Sequence, residues 1–391
     1  MPRRPVLALL AGVAACSDAA SDLARHGDTT VVRADAPPVW GDSVAVTTEL
    51  SIGLADGDSL YVLGGIGDIA VGKDDAIIVH DPRANVLRLY DSSGRHLRTV
   101  ARRGQGPGEQ ENVNGVETLS DGRIIARDRG NARLNIYAAD GTTLDSWRVR
   151  TNIVGNAASA LFVDDADRIY TWTALSEPGR EPRSVYIRLS PDGRVVDTVP
   201  TPEWPAAPAR YGILDPRPVS ALHPNGFFVI GLSDRLEFDL RTGTQVIRIV
   251  RTGDRIRMGA EERAEWDAFQ EALFRRDPAG IPGPVPEYKP AFKSILVGRD
   301  GRLWVHVHVP ATRSPTPLTG DRPPGFPAQS WIEPIVYDVF ESDGAYLGRV
   351  GFPDGTRPFV ARGDRVWAST RGPSDEPIVM RFRVRPHQIG R

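Results

Sequence analysis

The chain of 391 residues is predicted to be all-β, folded as a six-bladed β-propeller. Three observations predict this. A four-strand pattern recurs at a fixed spacing, turn residues fall at matching places in each copy, and an apolar run near the N-terminus can supply a strand that the last copy lacks.

The first two copies set the period. Residues Ile69 to Asp81 and Val116 to Asp128 each read as a short strand, an acidic turn (Asp74-Asp75; Asp121-Gly122) and an apolar strand ending in aspartate. A third strand follows (Val86 to Tyr90; Leu134 to Tyr137), then a turn (Ser93-Gly94; Asp140-Gly141) and a fourth strand (Leu97 to Val100; Leu144 to Val149). Asp81 and Asp128, Tyr90 and Tyr137, and Gly94 and Gly141 are each 47 residues apart. A third copy is read in Leu161 to Val163, Arg168 to Trp172, Val185 to Leu189 and Val195 to Val199, and a fourth in Val219 to Leu222, Gly226 to Ile230, Arg235 to Phe238 and Val246 to Val250. The fifth comprises Ser294 to Val297, Leu303 to Val309, Ile335 to Phe340 and Tyr346 to Val350. The sixth has Pro358 to Ala361, Val366 to Ala368 and Ile378 to Val384, and stops one strand short. The run Val44 to Ile52 is expected to fill that place and close the ring, because an open end exposes unpaired strand edges.

Two insertions interrupt the repeat. Gly259 to Arg276 has helical spacing, with Trp266, Phe269 and Leu273 on one face, acids early and arginines late. Pro310 to Pro334 is a proline-rich excursion inside the fifth copy. Without them roughly 290 residues remain after the N-terminal segment, which gives about six blades; seven is the other count that the length admits.

Asp81-x-x-x-Asn85 and Asp128-x-x-Asn131, each between two strands, resemble NHL-type propeller repeats, and Arg103-Gly-Gln-Gly-Pro-Gly-Glu109 resembles a junction common in bacterial six-bladed propeller lipoproteins. The resemblance is sharp over residues 66 to 150, and later copies lack the Asp…Asn pair. It implies the fold much more than a function, and no family site residue can be carried over.

The N-terminus carries its own signal. Met1-Pro-Arg-Arg4 is followed by an apolar run from Val6 to Val13, too short to span a bilayer. Val13-Ala-Ala-Cys16 looks like a bacterial lipobox, which implies cleavage before Cys16 and acylation of its thiol. Residues 1–15 are then a lipoprotein signal peptide, 16–39 the lipidated cysteine and a flexible tether, and 40–391 the propeller. Each buried acyl CH₂ contributes about 0.8 kcal/mol, so two or three chains anchor stably. Ser17 after the cysteine points to the outer membrane of the cell envelope in a two-membrane cell. Cys16 is the sole cysteine, so no intramolecular disulfide can form. A net charge of −2 gives no long-range attraction to nucleic acid. Only three residues, Lys73, Lys289 and Lys293, are lysine; all other Lys+Arg positions are arginine, an excess read as genome composition.

Motifs that carry chemistry are few. Gly104 to Gly108 offers backbone N–H groups to a phosphate, but no Lys-Ser/Thr pair or helix follows, and an inter-blade crossover needs such residues anyway. His306 and His308 stand two apart on a strand, so their rings leave the same face about 7 Å apart, a spacing that admits one metal ion, with His80 as a further ligand. Asp164-Asp165-x-Asp167 fits an acidic turn better than a calcium loop. There is no Gly-x-Ser-x-Gly elbow and no His-Glu-x-x-His. Phe326 and Trp331 on the stiff proline-rich loop, with Trp266 on the helix, are the partner-binding candidates.

The expected function is therefore binding of a peptide, glycan or partner protein at one mouth of the ring, without catalysis and without a cofactor. The alternative is a metal-dependent propeller enzyme of the lactonase or amidating-lyase type, with calcium or zinc on the central axis.

Overall fold

The computed structural model describes residues 23–26, 29–41, 44–149, 160–175, 183–202, 211–275, 283–318 and 326–385. Residues 1–15, read as a signal peptide, and Cys16 lie outside them. The described strands form six antiparallel sheets of four, each wound from a central channel outward, together with one peripheral hairpin and one strand pair added to the fourth sheet. The count is six blades. Blade one is Asp68–Val71, Ile77–Asp81, Val86–Tyr90 and His96–Val100; blade two is Val113–Thr118, Ile124–Asp128, Arg133–Tyr137 and Thr143–Arg148. Blades three to five follow the expected order, beginning with inner strands Leu161–Val163, Pro218–Leu222 and Phe292–Val297.

Blade six is closed by the N-terminal strand. Ala45–Ile52 pairs antiparallel with Pro377–Arg385, Ile52 facing Val379 and Ala45 facing Arg385. The clasp is fixed on both faces. Glu49 accepts hydrogen bonds from Arg365 (3.0 Å), Arg381 (3.1 Å) and Arg383. On the other side, Ile52 packs with Ile69, Ile77, Val79, Tyr90 and Trp367 in the wedge between blades six and one.

The chain ahead of that strand is also engaged. Thr29–Arg33, inside the run read as tether, lies parallel on the outer strand Gln245–Val250 of blade four. Trp40 then donates to the Leu347 carbonyl of blade five (2.7 Å), and Val44 bridges to Val350. The arm thus covers the outer edges of blades four and five before entering blade six, where bare edges would otherwise invite pairing with other chains.

The NHL-like residues do local structural work. Asp81 is fully buried and accepts from the Arg83, Ala84 and Gly64 amides, and Asp128 accepts from the Glu111 and Asn112 amides and from Asn131. Each therefore ties the connection before its blade to the turn within it. In the glycine-rich run, the Glu109 carboxylate accepts from the Gly106 amide (2.9 Å) and a Cβ at Gly104 would fall on its Oε2, so the protein's own carboxylate sits where an anion would. Asp164 takes the amides of Ala166 and Arg168 and the Tyr170 hydroxyl, and Asp167 takes those of Ser120, as a turn requires.

The inserted helix is Ala260–Phe274, and its expected apolar face is only partly the buried one. Leu273 is 48% exposed, while the buried positions are the polar Glu262 and Gln270. Gln270 accepts from the Ile213 amide and donates to the Gly283 carbonyl, both at 2.9 Å. The helix is thus held by hydrogen bonds as much as by apolar burial. The proline-rich excursion folds into a hairpin, Thr312–Leu318 with Gln329–Ile332.

Truncating Ile52 to alanine should lower stability by about 2–5 kcal/mol, because it empties the wedge where the chain ends meet. Urea unfolding followed by tryptophan fluorescence checks this.

Candidate functional site

In an antiparallel meander, the link from one blade's outer strand to the next inner strand leaves at the same end as the link between the second and third strands. Both insertions occupy such links, so both rise from one face of the ring. They meet there: Ser330 donates its amide to Glu265 of the helix (2.7 Å), and Phe326 packs on Phe269 with ring centroids 5.3 Å apart. Beneath them, over blades four and five, lies a cavity of about 430 Å³. Trp266 and Trp331 are in its wall with Ile213, Leu214 and Ile332. Of the three partner-binding candidates, two line the cavity and Phe326 buttresses the helix that roofs it.

The polar end of the cavity is built around Glu333. Its carboxylate accepts from Lys289 (2.8 Å), Lys293 (2.9 Å) and His308 Nδ1 (3.0 Å). Lys289 is fully buried and also pairs with Glu262 of the helix at 2.5 Å. Burial works against ionising Glu333, but the His308 hydrogen bond and the two lysine charges outweigh it and hold the carboxyl well below the usual range. Burial also pushes the His308 imidazole below its ordinary value, with Glu333 pulling the other way and the lysines reinforcing the shift. His308 is therefore neutral near pH 7. Asp215, Arg217, Ser233 and Phe292 also line the cavity.

Sequence reading missed Glu333, Glu262 and the lysines. The available signal was lysine scarcity: two of the chain's three lysines stand four residues apart at this one site. A compact ammonium with three donors can sit buried among several acceptors where a guanidinium fork would not fit.

The histidines read as metal ligands are not gathered. His306 stacks on Tyr337 with centroids 4.7 Å apart and its Nε2 buried without a partner. His308 turns to Glu333. His80 sits in blade one against Gly67, where a Cβ would come within 2.6 Å of its Nδ1. Among the described residues, no three His, Cys, Asp or Glu side chains stand at metal-holding spacing. The axis itself is crossed near the other face by Arg299 of blade five, which pairs with Glu117 of the opposite blade two, donates to the Val163 carbonyl of blade three (2.7 Å) and is bonded through its own amide to blade six. A guanidinium there repels a cation.

Comparison with protein-family models and with curated proteins gives no match. Solved structures do match. A DUF4221 family member from Bacteroides vulgatus aligns with TM-score 0.53 at 12% identity, over 88% of this chain and 99% of that one. A protein of Bacteroides fragilis assigned as exported gives 0.49 at 10%, over 91% and 99%, and virginiamycin B lyase from Staphylococcus aureus gives 0.42 at 12%, over 86% and 99%. The likeness is one of fold.

Burial lowers the His306 pKa to about 3, against an ordinary 6.5. The unfolded chain therefore binds the extra proton first as pH falls, so stability is full above about pH 6.5 and declines toward pH 3. At pH 5 the loss from this group should reach about 2 kcal/mol. Comparing urea midpoints at pH 7 and pH 5 for the wild type and His306→Gln should show the smaller loss in the variant.

Proposed function

We propose that this protein is an exported, lipid-anchored propeller of the cell envelope that binds a peptide or glycan segment in the roofed cavity over blades four and five. One observation carries the reading: the only two large insertions in the described ring converge on one face and enclose a space walled by two indoles, with charged groups at one end. A space of about 430 Å³ suits a small ligand or one unit of a chain, in the lower part of the range of roughly 300–1,000 Å³ typical of ligand pockets. A folded partner would touch only the roof. Indoles offer flat faces to a sugar ring or an apolar side chain, and the charged end supplies orientation.

The anchor rests on the lipobox-like Val13-Ala-Ala-Cys16. Because Thr29–Arg33 is fixed to the outside of blade four, the anchor would hold the ring by the rim of a blade that carries the cavity. Such an arrangement suits capture of envelope components.

Two measurements test these parts separately. Cys16→Ser should move the protein from the membrane fraction to the soluble fraction and abolish labelling by radioactive palmitate; unchanged labelling would remove the anchor. For the cavity, thermal unfolding is followed with chitin oligomers and with short peptides. A ligand at 100 times its Kd adds about 2.7 kcal/mol of stability. Trp266→Ala/Trp331→Ala should lose the shift, and a shift that survives in that variant would place binding elsewhere.

A further inference from the structure

We infer that the cavity is also a site of metal-independent ester hydrolysis, with His308 as its general base and Glu333 as the residue that positions it. The inference rests on the cavity being the ligand site proposed above and adds chemistry to it.

The argument begins with hydrogen-bond roles. Glu333 takes bonds at both oxygens, from Lys289 at Oε1, from Lys293 and the Val309 amide at Oε2, and from His308 Nδ1 at 3.0 and 3.1 Å. A carboxylate surrounded by donors only accepts, so His308 Nδ1 must carry the proton. In the neutral ring, Nε2 is then the lone-pair nitrogen. It has no protein partner among the described residues, and its ring lines the cavity. The other histidines read as ligands differ: Nε2 of His80 and of His306 is buried and sealed off. His308 alone of these combines a fixed tautomer, a partner behind it and open space ahead. A buried structural histidine needs only the first two.

The charges around it define the reaction. Groups facing the ring are Glu333, Lys289, Lys293 and His306, with Glu262 from the helix and Asp215 and Arg217 from blade four. Three acids and three cations balance apart from the neutral rings, which favours an uncharged substrate. Lys293 is the partly exposed cation, 28% accessible, with Glu333 its one carboxylate partner among the described residues. It is placed to face negative charge that develops next to the base. Among the described residues no serine or cysteine is hydrogen-bonded to His308, so the nucleophile assigned to it is water.

The step balances as follows. Nε2 takes a proton from water while the water oxygen bonds to the ester carbonyl carbon, and the carbonyl electron pair moves onto oxygen beside the Lys293 ammonium. Collapse restores the C=O bond and breaks the C–O bond to the alcohol, which leaves with the proton from Nε2. The products are an acid and an alcohol, and His308 is neutral again. The acyl group of the substrate would lie against Trp266 and Trp331, so a neutral carboxylic ester with an apolar acyl group is the expected class.

The test uses the soluble domain starting after Cys16, with p-nitrophenyl butyrate as probe and nitrogen-15 NMR of the histidines. The expected result is hydrolysis that falls as pH drops through a value below 6.5, shows a normal solvent deuterium isotope effect, and declines roughly 10²–10⁴-fold in His308→Gln. NMR should show the proton on Nδ1, and Glu333→Gln, if folded by circular dichroism, should weaken that preference and lower kcat more than it raises KM. A wild type with no rate above solvent, hydrolysis unchanged in His308→Gln, or a proton found on Nε2 would each overturn the assignment. Binding shifts that persist in His308→Gln alongside an inactive wild type would overturn hydrolysis alone. Absence of any binding shift together with absence of hydrolysis would overturn both readings.

Discussion

Ring closure is the constraint on which the rest depends. A propeller is a sheet array with two free ends, and each end is an apolar blade face and an unpaired edge until they meet. Here they meet through Ala45–Ile52, which completes blade six in register with Pro377–Arg385 while Ile52 fills the wedge to blade one. Glu49 gathers three arginines of the neighbouring strands on the same clasp. The stability of every blade is then tied to one contact between the chain's ends, because each inner strand is aligned only by the blades beside it.

A closed ring frees its connecting loops. With the blades fixed, the links on one face can lengthen without disturbing the core, and two of them have done so. Their meeting produces the cavity, and the buried Lys289 links its parts by bonding Glu262 on the helix and Glu333 at the end of the hairpin. A lysine with no exposed surface requires such partners, since an unpaired buried ammonium would lose its charge. The same network keeps Glu333 ionised, which in turn fixes the tautomer of His308. Fold, charge and chemistry at this site therefore form one chain of dependence, from closure to roof to proton position.

The N-terminal arm adds a second use of edge pairing. By lying on blades four and five it protects edges near the inserted elements, whereas blades one to three leave aliphatic residues such as Leu97, Leu144 and Val195 exposed on their outer strands. The rim is thus asymmetric, and the side that carries the cavity is also the side fixed to the chain's entry.

Much of the architecture was legible in the residues because it is local and periodic. The 47-residue spacing from Asp81 to Asp128, the turn glycines and the strand missing from the last copy express backbone rules that act within one blade. The helix was legible in place and length, but not in its buried face. Glu262 and Gln270 are buried by partners distant in sequence, and no helical spacing reveals those partners. The histidine pair was noticed for its spacing, yet spacing could not say that His306 would stack on Tyr337 while His308 turned to Glu333. By itself, then, the sequence determined a repeating all-β ring and where the repeat is interrupted, because hydrogen-bonding periodicity is written in neighbouring residues. Only the tertiary structure decided that the interruptions converge and that two scarce lysines share one carboxylate, because those contacts join segments whose proximity is set by the closed ring.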